Sequence, residues 1–532
     1  MQEPYTLLTD RPARRLVDWP MVWIVWVCCL GYSSLQTPVP GVNEPHYLAM
    51  ARSFVDPAWC NRDPFLQSHP VHWVFFTLLG WPTYWWGFET AAILGRLLGY
   101  GLLAVGWVAL VRQLVGTRWG TVGVLLGMLL IMLIGNFSGE WLIGGIEGKV
   151  FSYAAVFGSL ACLISGEITM GALWGGVAIA FHPVVGMWHL LASVGTFGIL
   201  KLRGKIDAES SHEQSVQPKV RQGRRRLYWG IAFVLGLVGF LPAAYLLVHV
   251  SPEIAYQGTR IQVYRRLAHH LNPLVFPATA YWCYGGLLVA FVFLQRFVPR
   301  TRPWQICAAY VGWCVVFALA GIIVGCFPRW FPGTSLDRLS PRLLKFYPFR
   351  MADLLLPWFV VLGVWELLSG WLGNQRRLIA QLVLTAILVC GIGVWQVLHP
   401  VRSSSMTASE EHDWLEACEW VRKETPGNAL FLTTRKGWAF KWYAERAEYF
   451  SHKDTPQDAA GLIAWEERQR LLWELFAEKF SGDNLKLFRE KTGTDFVLIG
   501  RGTPCNLPPV HENGSFAIYD LRNLNEPVAR DQ

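Results

Sequence analysis

The sequence predicts an all-α polytopic membrane domain of about eleven transmembrane helices, followed by a small C-terminal extracytoplasmic α/β domain. Three observations carry this. Of 532 residues, 53% are hydrophobic and only 16% charged, whereas a soluble domain carries about a quarter of its residues as Asp, Glu, Lys and Arg. The 28 Trp fit a chain with two membrane interfaces, where Trp concentrates. The charge also changes sign along the chain: residues 400–532 hold 17 Lys+Arg and 21 Asp+Glu, so of the net +9 the first 399 residues carry +13. This balance excludes a disordered chain, an ordinary cytosolic enzyme and a nucleic-acid-binding tail; the lipid bilayer is the expected partner and no nucleic acid is.

A spanning helix needs about 20 mainly apolar residues. Such runs fall at 20–36, 91–112, 119–136, 150–165, 168–181, 184–200, 228–250, 276–296, 304–326, 351–371 and 377–398. The run His72–Phe88 is apolar as well, but Pro82 and four Trp suit an interfacial helix. Leaving it out of the membrane puts residues 1–19 in the cytoplasm and the C-terminal region outside. Under that assignment the inside segments hold 18 Lys+Arg in 68 residues, including Arg224-Arg225-Arg226, and the longer outside loops hold 11; the asymmetry is that of cytoplasmic loops. The predicted domains are the cytoplasmic N-terminus 1–19, the transmembrane domain 20–399 with a long outer loop 37–90, and the outer domain 400–532. Segments 137–149, the His182 turn, 251–275 and 327–350 share the outer side, and Gly204–Gln222 is a polar inner loop.

The tail changes pattern. Trp414–Glu424 has helical spacing and Pro426-Gly427 ends it, Ala429–Thr433 reads as a strand, Ala459–Phe480 as a charged helix, and Asp495–Ile499 and Ser515–Asp520 as strands. The 11 Cys show neither a CxxC pair nor a Cys/His cluster of metal spacing; eight lie in apolar runs, where they act as small hydrophobes.

The first outer loop contains Asn43-Glu44-Pro45-His46-Tyr47-Leu48-Ala49-Met50-Ala51-Arg52. Asn43 is a suitable N-cap, Pro45 fits a first helical turn, and Glu44 is favourable at a helix N-terminus. Glu44 therefore either caps an interfacial helix or serves as a carboxylate at the membrane surface, with His46 one turn from Met50. This segment resembles the DE-x-x-Y-x-x-x-A-R opening of the GT-C membrane glycosyltransferases, which include protein O-mannosyltransferases and bacterial aminoarabinose transferases. The likeness continues through Val71–Phe88 and Arg96. It implies a GT-C-like fold, a bacterial cytoplasmic (inner) membrane, and a polyprenyl-phosphate sugar donor. Glu44 matches the second acid, the family's catalytic base or divalent-metal ligand, while Tyr47 and Arg52 match its Tyr and Arg. Asn43 stands where the family has Asp, and an amide cannot take up a proton as a carboxylate does.

Other outer residues join the candidate site with competing explanations. Glu140, Glu147 and Lys149 lie in a glycine-rich loop that either admits a ligand close to the backbone or is simply pliable. His182 is a turn residue or a ligand. Arg265, Arg266, His269 and His270 face headgroups or bind a lipid phosphate. Arg350, at the entrance to a span, either pairs with Asp353 or donates its planar fork to phosphate. Arg446 and Lys453 either read an acceptor or belong to a solvated surface. The leading function is transfer of a sugar from a polyprenyl-phosphate donor to an acceptor at the outer face. The alternatives are a transporter or flippase and a catalytically silent GT-C-like binding protein. The cofactor is left open, with a divalent metal as the candidate.

Overall fold

The structure, a computed structural model, describes residues 17–202, 218–371, 374–400, 404–476, 480–522 and 524. The greater part of the Gly204–Gln222 loop and nearly all of the N-terminal segment lie outside the described residues. Each of the eleven apolar runs forms a helix. They are α1 (Trp19–Gln36), the second half of α3 (Trp73–Leu114), α4 (Gly120–Ile134), α5 (Gly148–Ile164), α6 (Ile168–Phe181) and α7 (Pro183–Leu202), then α8 (Pro218–Val248), α11 (Ala278–Phe297), α12 (Arg302–Trp330), α14 (Arg350–Trp371) and α15 (Asn374–Leu398). Among the described residues, seven helices are long and apolar enough to cross a membrane by length and composition, and α4, α5 and α6 are shorter apolar helices. Only 11% of the apolar window of α15 and 17% of those of α8 and α11 are buried inside the protein. Trp282 and Val397 are each 81% exposed. Apolar faces of this extent are stable only against lipid; the chain is an integral membrane protein.

Short helices lie in the connections between the apolar helices: α2 (Glu44–Val55), α9 (Pro252–Ile261), α10 (Ala268–Leu271) and α13 (Ser335–Leu344). The aromatic run expected as a separate interfacial helix is continuous with the following span in α3, but Gly87 breaks the helical geometry with φ +81°. A side chain is disfavoured in that conformation and glycine is not, so the kink falls where the sequence places the boundary.

The C-terminal region contains α16 (Ala408–Glu424), β1 (Leu430–Thr433), α17 (Phe440–Ala444), β2 (Ala447–Glu448), α18 (Ala459–Phe476), α19 (Gly482–Thr492), β3 (Phe496–Gly500), β4 (His511–Glu512) and β5 (Phe516–Asp520). The sheet order is β2-β1-β3-β5-β4. β1 runs parallel to β2 and β3, and β5 runs antiparallel to β3 and β4. Alternation across the strands sorts the side chains. Phe431, Phe496, Leu498, Phe516 and Ile518 pack with Trp414 and Cys418 of α16, while Leu432, Val497, Ile499 and Ala517 join a core with Leu485 and Phe488 of α19. The central strands are therefore apolar on both faces, as for a sheet covered on both sides. α16 starts at a capping box of Thr407 and Glu410, a pattern that satisfies two otherwise orphaned N–H groups.

Candidate functional site

Segments 37–90, 137–149, the His182 turn, 251–275 and 327–350 meet the C-terminal region around one cavity of about 530 Å³. Its lining includes His46, Glu147, His182, Arg266, Arg350 and Lys453, one from each segment. Six Lys or Arg (Lys149, Arg266, Arg342, Lys345, Arg350, Lys453) face two carboxylates, Glu140 and Glu147. One flank is apolar, formed by Val184 at the start of α7 and by Ala243, Leu246 and Leu247 of α8.

Asp353, in the first turn of α14, builds one side of the site. Its carboxylate accepts the backbone N–H groups of Phe137 at 2.7 Å, Ser138 at 3.0 Å and Glu140 at 2.9 Å, and the Ser138 hydroxyl at 2.9 Å. Four donors satisfy a buried carboxylate and fix the loop before α5, which turns at Gly139 with φ +79°. The pairing of Arg350 with Asp353 weighed from sequence does not occur. Arg350 instead places Nε 2.8 Å from Glu140 Oε2 and Nη1 3.1 Å from His182 Nε2, with its guanidinium 4.1 Å over the Tyr347 ring. Lys149 Nζ lies 3.6 Å from Glu140, 3.5 Å from Glu147 and 3.6 Å over the Trp141 ring. Strong charge-assisted bonds are about 2.7–2.9 Å long, so Lys149 keeps donor capacity for a ligand. The Asn43 amide donates to Glu147, a contact in which a second carboxylate would repel. Burial, together with His72 and Arg350, holds the His182 pKa well below its ordinary value, so the ring is neutral between cationic neighbours.

Three candidates stand away from the cavity lining. Glu44 is completely buried. Its oxygens take Arg96 Nε and Nη2 at 2.7 Å each, with Gly41 N–H at 2.6 Å and Ile146 N–H at 2.7 Å. A Cβ on Gly145 would sit 2.9 Å from Glu44 Cγ, which explains a glycine at that close approach. Glu44 thus ties the first loop to α3 and to the loop before α5, and has no oxygen left for an acceptor. Replacing it by Gln leaves Arg96 buried without its counter-charge. Breaking a buried pair costs about 3–5 kcal/mol, so Glu44→Gln is expected to lower the thermal unfolding temperature of the purified protein. An unchanged melting curve would contradict this structural assignment. Arg265 is 69% exposed and pairs with Glu466 of α18; its neighbour Arg266 lines the cavity. Arg446 is buried in the α/β region, where it donates to the carbonyls of Arg422 and Thr425 at 2.8 Å each. Its hydrogen-bonding groups serve the turn after α16. Arg52, carried over from the resemblance, bonds the Thr83 carbonyl at 2.9 Å and Asp56 at 3.1 Å and so braces α2 against α3. His46, Tyr47, Glu147, Lys149, His182, His269 and Arg350 do meet in the cavity.

The C-terminal region reaches the site through a buried ionic cluster. Lys441 of α17 lies 3.1 Å from Asp63, 3.1 Å from Glu448 and 2.6 Å from Asp454. Asp454 Oδ1 in turn is 2.9 Å from His46 Nδ1. Against burial, the three carboxylates raise the proton affinity of Lys441, and, against burial, Lys441 lowers that of Asp454. Burial holds Glu448 up at about 7 despite Lys441. Arg266 joins the same seam, donating from Nε to the Thr455 hydroxyl at 2.7 Å and from Nη2 to the Lys453 carbonyl at 3.1 Å. Sequence reasoning missed this cluster because Lys441 sits in an aromatic stretch and its partners are 7, 13 and 378 positions away.

Two buried histidines set a pH dependence. Burial lowers both His72 and His270 to about 4. A folded-state value below the unfolded one, about 6.5, gives stability that is complete above pH 6.5 and is lost as pH falls towards 4. Glu448 has the opposite sign: its raised value favours the folded state when protonated, so its contribution falls as pH rises from about 4.5 to about 7. With His182, which burial also holds well below its ordinary value, the histidines outweigh the one glutamate, and thermal unfolding is expected to shift to lower temperature between pH 7 and pH 5. His270→Gln should flatten that decline; a decline of unchanged steepness would contradict the assignment.

Among the described residues, no group of three or more His, Cys, Asp or Glu is arranged to hold a metal. Glu140 and Glu147 face Arg350, Lys149 and Asn43 rather than a shared third ligand. These two carboxylates do not form a divalent-ion site.

Fold and site together define a polytopic membrane protein with a basic, partly apolar cavity beneath a small α/β region. A family model described as Domain of unknown function (DUF6798) matches residues 412–472, from α16 into α18. No curated protein matches the chain. Among solved structures the chain is similar to ArnT from Cupriavidus metallidurans bound to undecaprenyl phosphate, at 13% identity and TM-score 0.46 over 96% of this chain and 99% of that one. It is similar to ArnT from the same organism in the apo state at 12% identity and TM-score 0.37, over 94% and 97%.

Proposed function

We propose that the protein is a membrane glycosyltransferase that moves a sugar from a polyprenyl-phosphate donor to an acceptor at the outer face of the membrane. The observation that carries this reading is that apolar residues of α7 and α8 and the cations Arg350 and Lys149 line the same cavity. An amphiphile with a hydrocarbon tail and a phosphate head matches both surfaces. Arg350 and Lys149 hold the phosphate; Arg offers a planar fork and Lys a compact charge. As the bond between sugar and phosphate breaks, negative charge grows on the leaving phosphate, and preorganised cations in a water-poor site stabilise it. Glu140 and Glu147 offset the cations while the site is unloaded, and Asn43 fixes Glu147. Glu44 maintains the framework in this assignment and takes no proton.

The test uses undecaprenyl phosphate, the ligand named for the C. metallidurans protein, with the purified full-length chain and native mass spectrometry. A one-to-one complex that survives in the presence of excess neutral phospholipid is the expected result. Binding no stronger than that of a neutral lipid overturns the reading.

A further inference from the structure

We infer that His46 is the base that accepts the acceptor's proton, and that Asp454 of the α/β region is the positioning residue that makes it one. The inference rests on the transferase reading and assigns the proton that reading leaves unplaced. A transfer needs a group to remove the acceptor proton, and the carboxylates offered by the first loop are not free to do it. Glu44 is buried among Arg96 and two backbone N–H groups, and position 43 is an amide.

His46 is two residues beyond Glu44 on α2 and lines the cavity. Its Nδ1 is 2.9 Å from Asp454 Oδ1. A carboxylate in that place accepts from Nδ1–H, which leaves the lone pair on Nε2. No other hydrogen bond to the His46 ring is present among the described residues. Phe65 and Tyr47 pack against the ring, with centroids 4.4 and 5.2 Å away.

Asp454 is itself fixed by Lys441 at 2.6 Å, and Lys441 is anchored to Asp63 of the first outer loop. The charged and titratable groups around the pair are thus Lys441 and Lys453 from the α/β region, Arg266, Tyr47 on α2, His72 at the start of α3, and Asp63 and Glu448 behind Lys441. This chain of contacts runs from one part of the protein to the other, so the base is complete only when the α/β region is docked.

In the reaction, the acceptor O–H proton passes to His46 Nε2 and the oxygen electron pair forms the bond to the sugar carbon. The bond from that carbon to the phosphate oxygen breaks, and its electron pair leaves on the phosphate held by Arg350 and Lys149. General-base assistance of this kind typically contributes 10²–10⁴-fold.

The experiment needs no known acceptor. Full-length protein with ¹⁵N-labelled histidine rings is placed in lipid nanodiscs, and the His46 signals are assigned by difference from His46→Gln. Near neutral pH the expected ring carries its proton on Nδ1, and Asp454→Ala moves a substantial fraction of it to Nε2. Asp454→Glu, which keeps the charge, should restore the Nδ1–H form and guards against a merely misfolded Ala variant. In parallel, diethyl pyrocarbonate should modify His46 in the wild-type protein, and undecaprenyl phosphate should protect it. A wild-type ring protonated on Nε2, or a His46 inert to the reagent, overturns the inference. His46→Gln should still bind undecaprenyl phosphate. Intact lipid binding with an inert His46 therefore sinks this assignment alone, whereas no lipid binding by the wild-type chain sinks the transferase reading and this one with it.

Discussion

Replacing Lys441 by Met is expected to release the α/β region from the membrane domain. Met fills a similar volume, but it removes the one cation shared by Asp63, Glu448 and Asp454, all within 3.1 Å of the Lys441 amine. The three carboxylates are unequal. Glu448, already held up at about 7, can take a proton. Asp63 keeps backbone N–H donors from Phe65, Leu66 and Glu448 at 2.9, 3.2 and 3.0 Å. Asp454, whose carboxyl Lys441 holds below its ordinary range, bears most of the loss. Removing one partner of a buried pair costs about 3–5 kcal/mol, which at 1.4 kcal/mol per factor of ten is enough to populate an undocked state. Limited proteolysis should then cut between the last span and α16 much faster than in the wild type. Adding Asp454→Asn to Lys441→Met should recover part of the stability, since it removes the stranded charge; strictly additive losses would show that the two residues are not coupled. Unaltered protease resistance of the single variant would remove the cluster's docking role.

The second large effect is expected at Arg350. Arg350→Gln deletes the guanidinium that meets Glu140, His182 and Tyr347. A hydrogen bond to a charged group is worth about 1.5–3 kcal/mol, so undecaprenyl phosphate should bind roughly 10- to 100-fold more weakly by the usual conversion. Stability should suffer less than at Lys441, because Lys149 remains 3.6 Å from Glu140. Arg350→Lys should recover only part of the affinity, since an ammonium cannot present two parallel donors. Arg265→Gln is the control: that side chain is 69% exposed and paired with Glu466, and its removal should leave lipid binding unchanged. Equal affinity in the wild type and Arg350→Gln would exclude Arg350 from the phosphate site.

Much of the helical framework was legible in the sequence because hydropathy acts locally. Each of the eleven apolar runs is a helix, and the boundary between the aromatic segment and its span falls at Gly87, where φ is positive. In the tail, alternation and Pro-Gly punctuation locate α16, β1, β3 and β5, while β2 and β4 span two residues each and leave too short a pattern to read. The loops that line the cavity were also legible as charged connections, since charges in an apolar chain collect between the apolar helices.

Which of those charges face one another was decided only by the tertiary structure. Glu44 and Arg96 are 52 positions apart, and nothing in the first-loop motif distinguishes a carboxylate that holds the frame from one that meets a substrate. Arg265 and Arg266 are adjacent, yet one turns outward to Glu466 and the other enters the cavity. His46 and Asp454 are 408 positions apart. A hydrophobic pattern specifies which segments leave water because that preference is set by local composition. An ion pair depends on distance and direction between particular atoms, and those are fixed only when the loops, α14 and the α/β region have packed together.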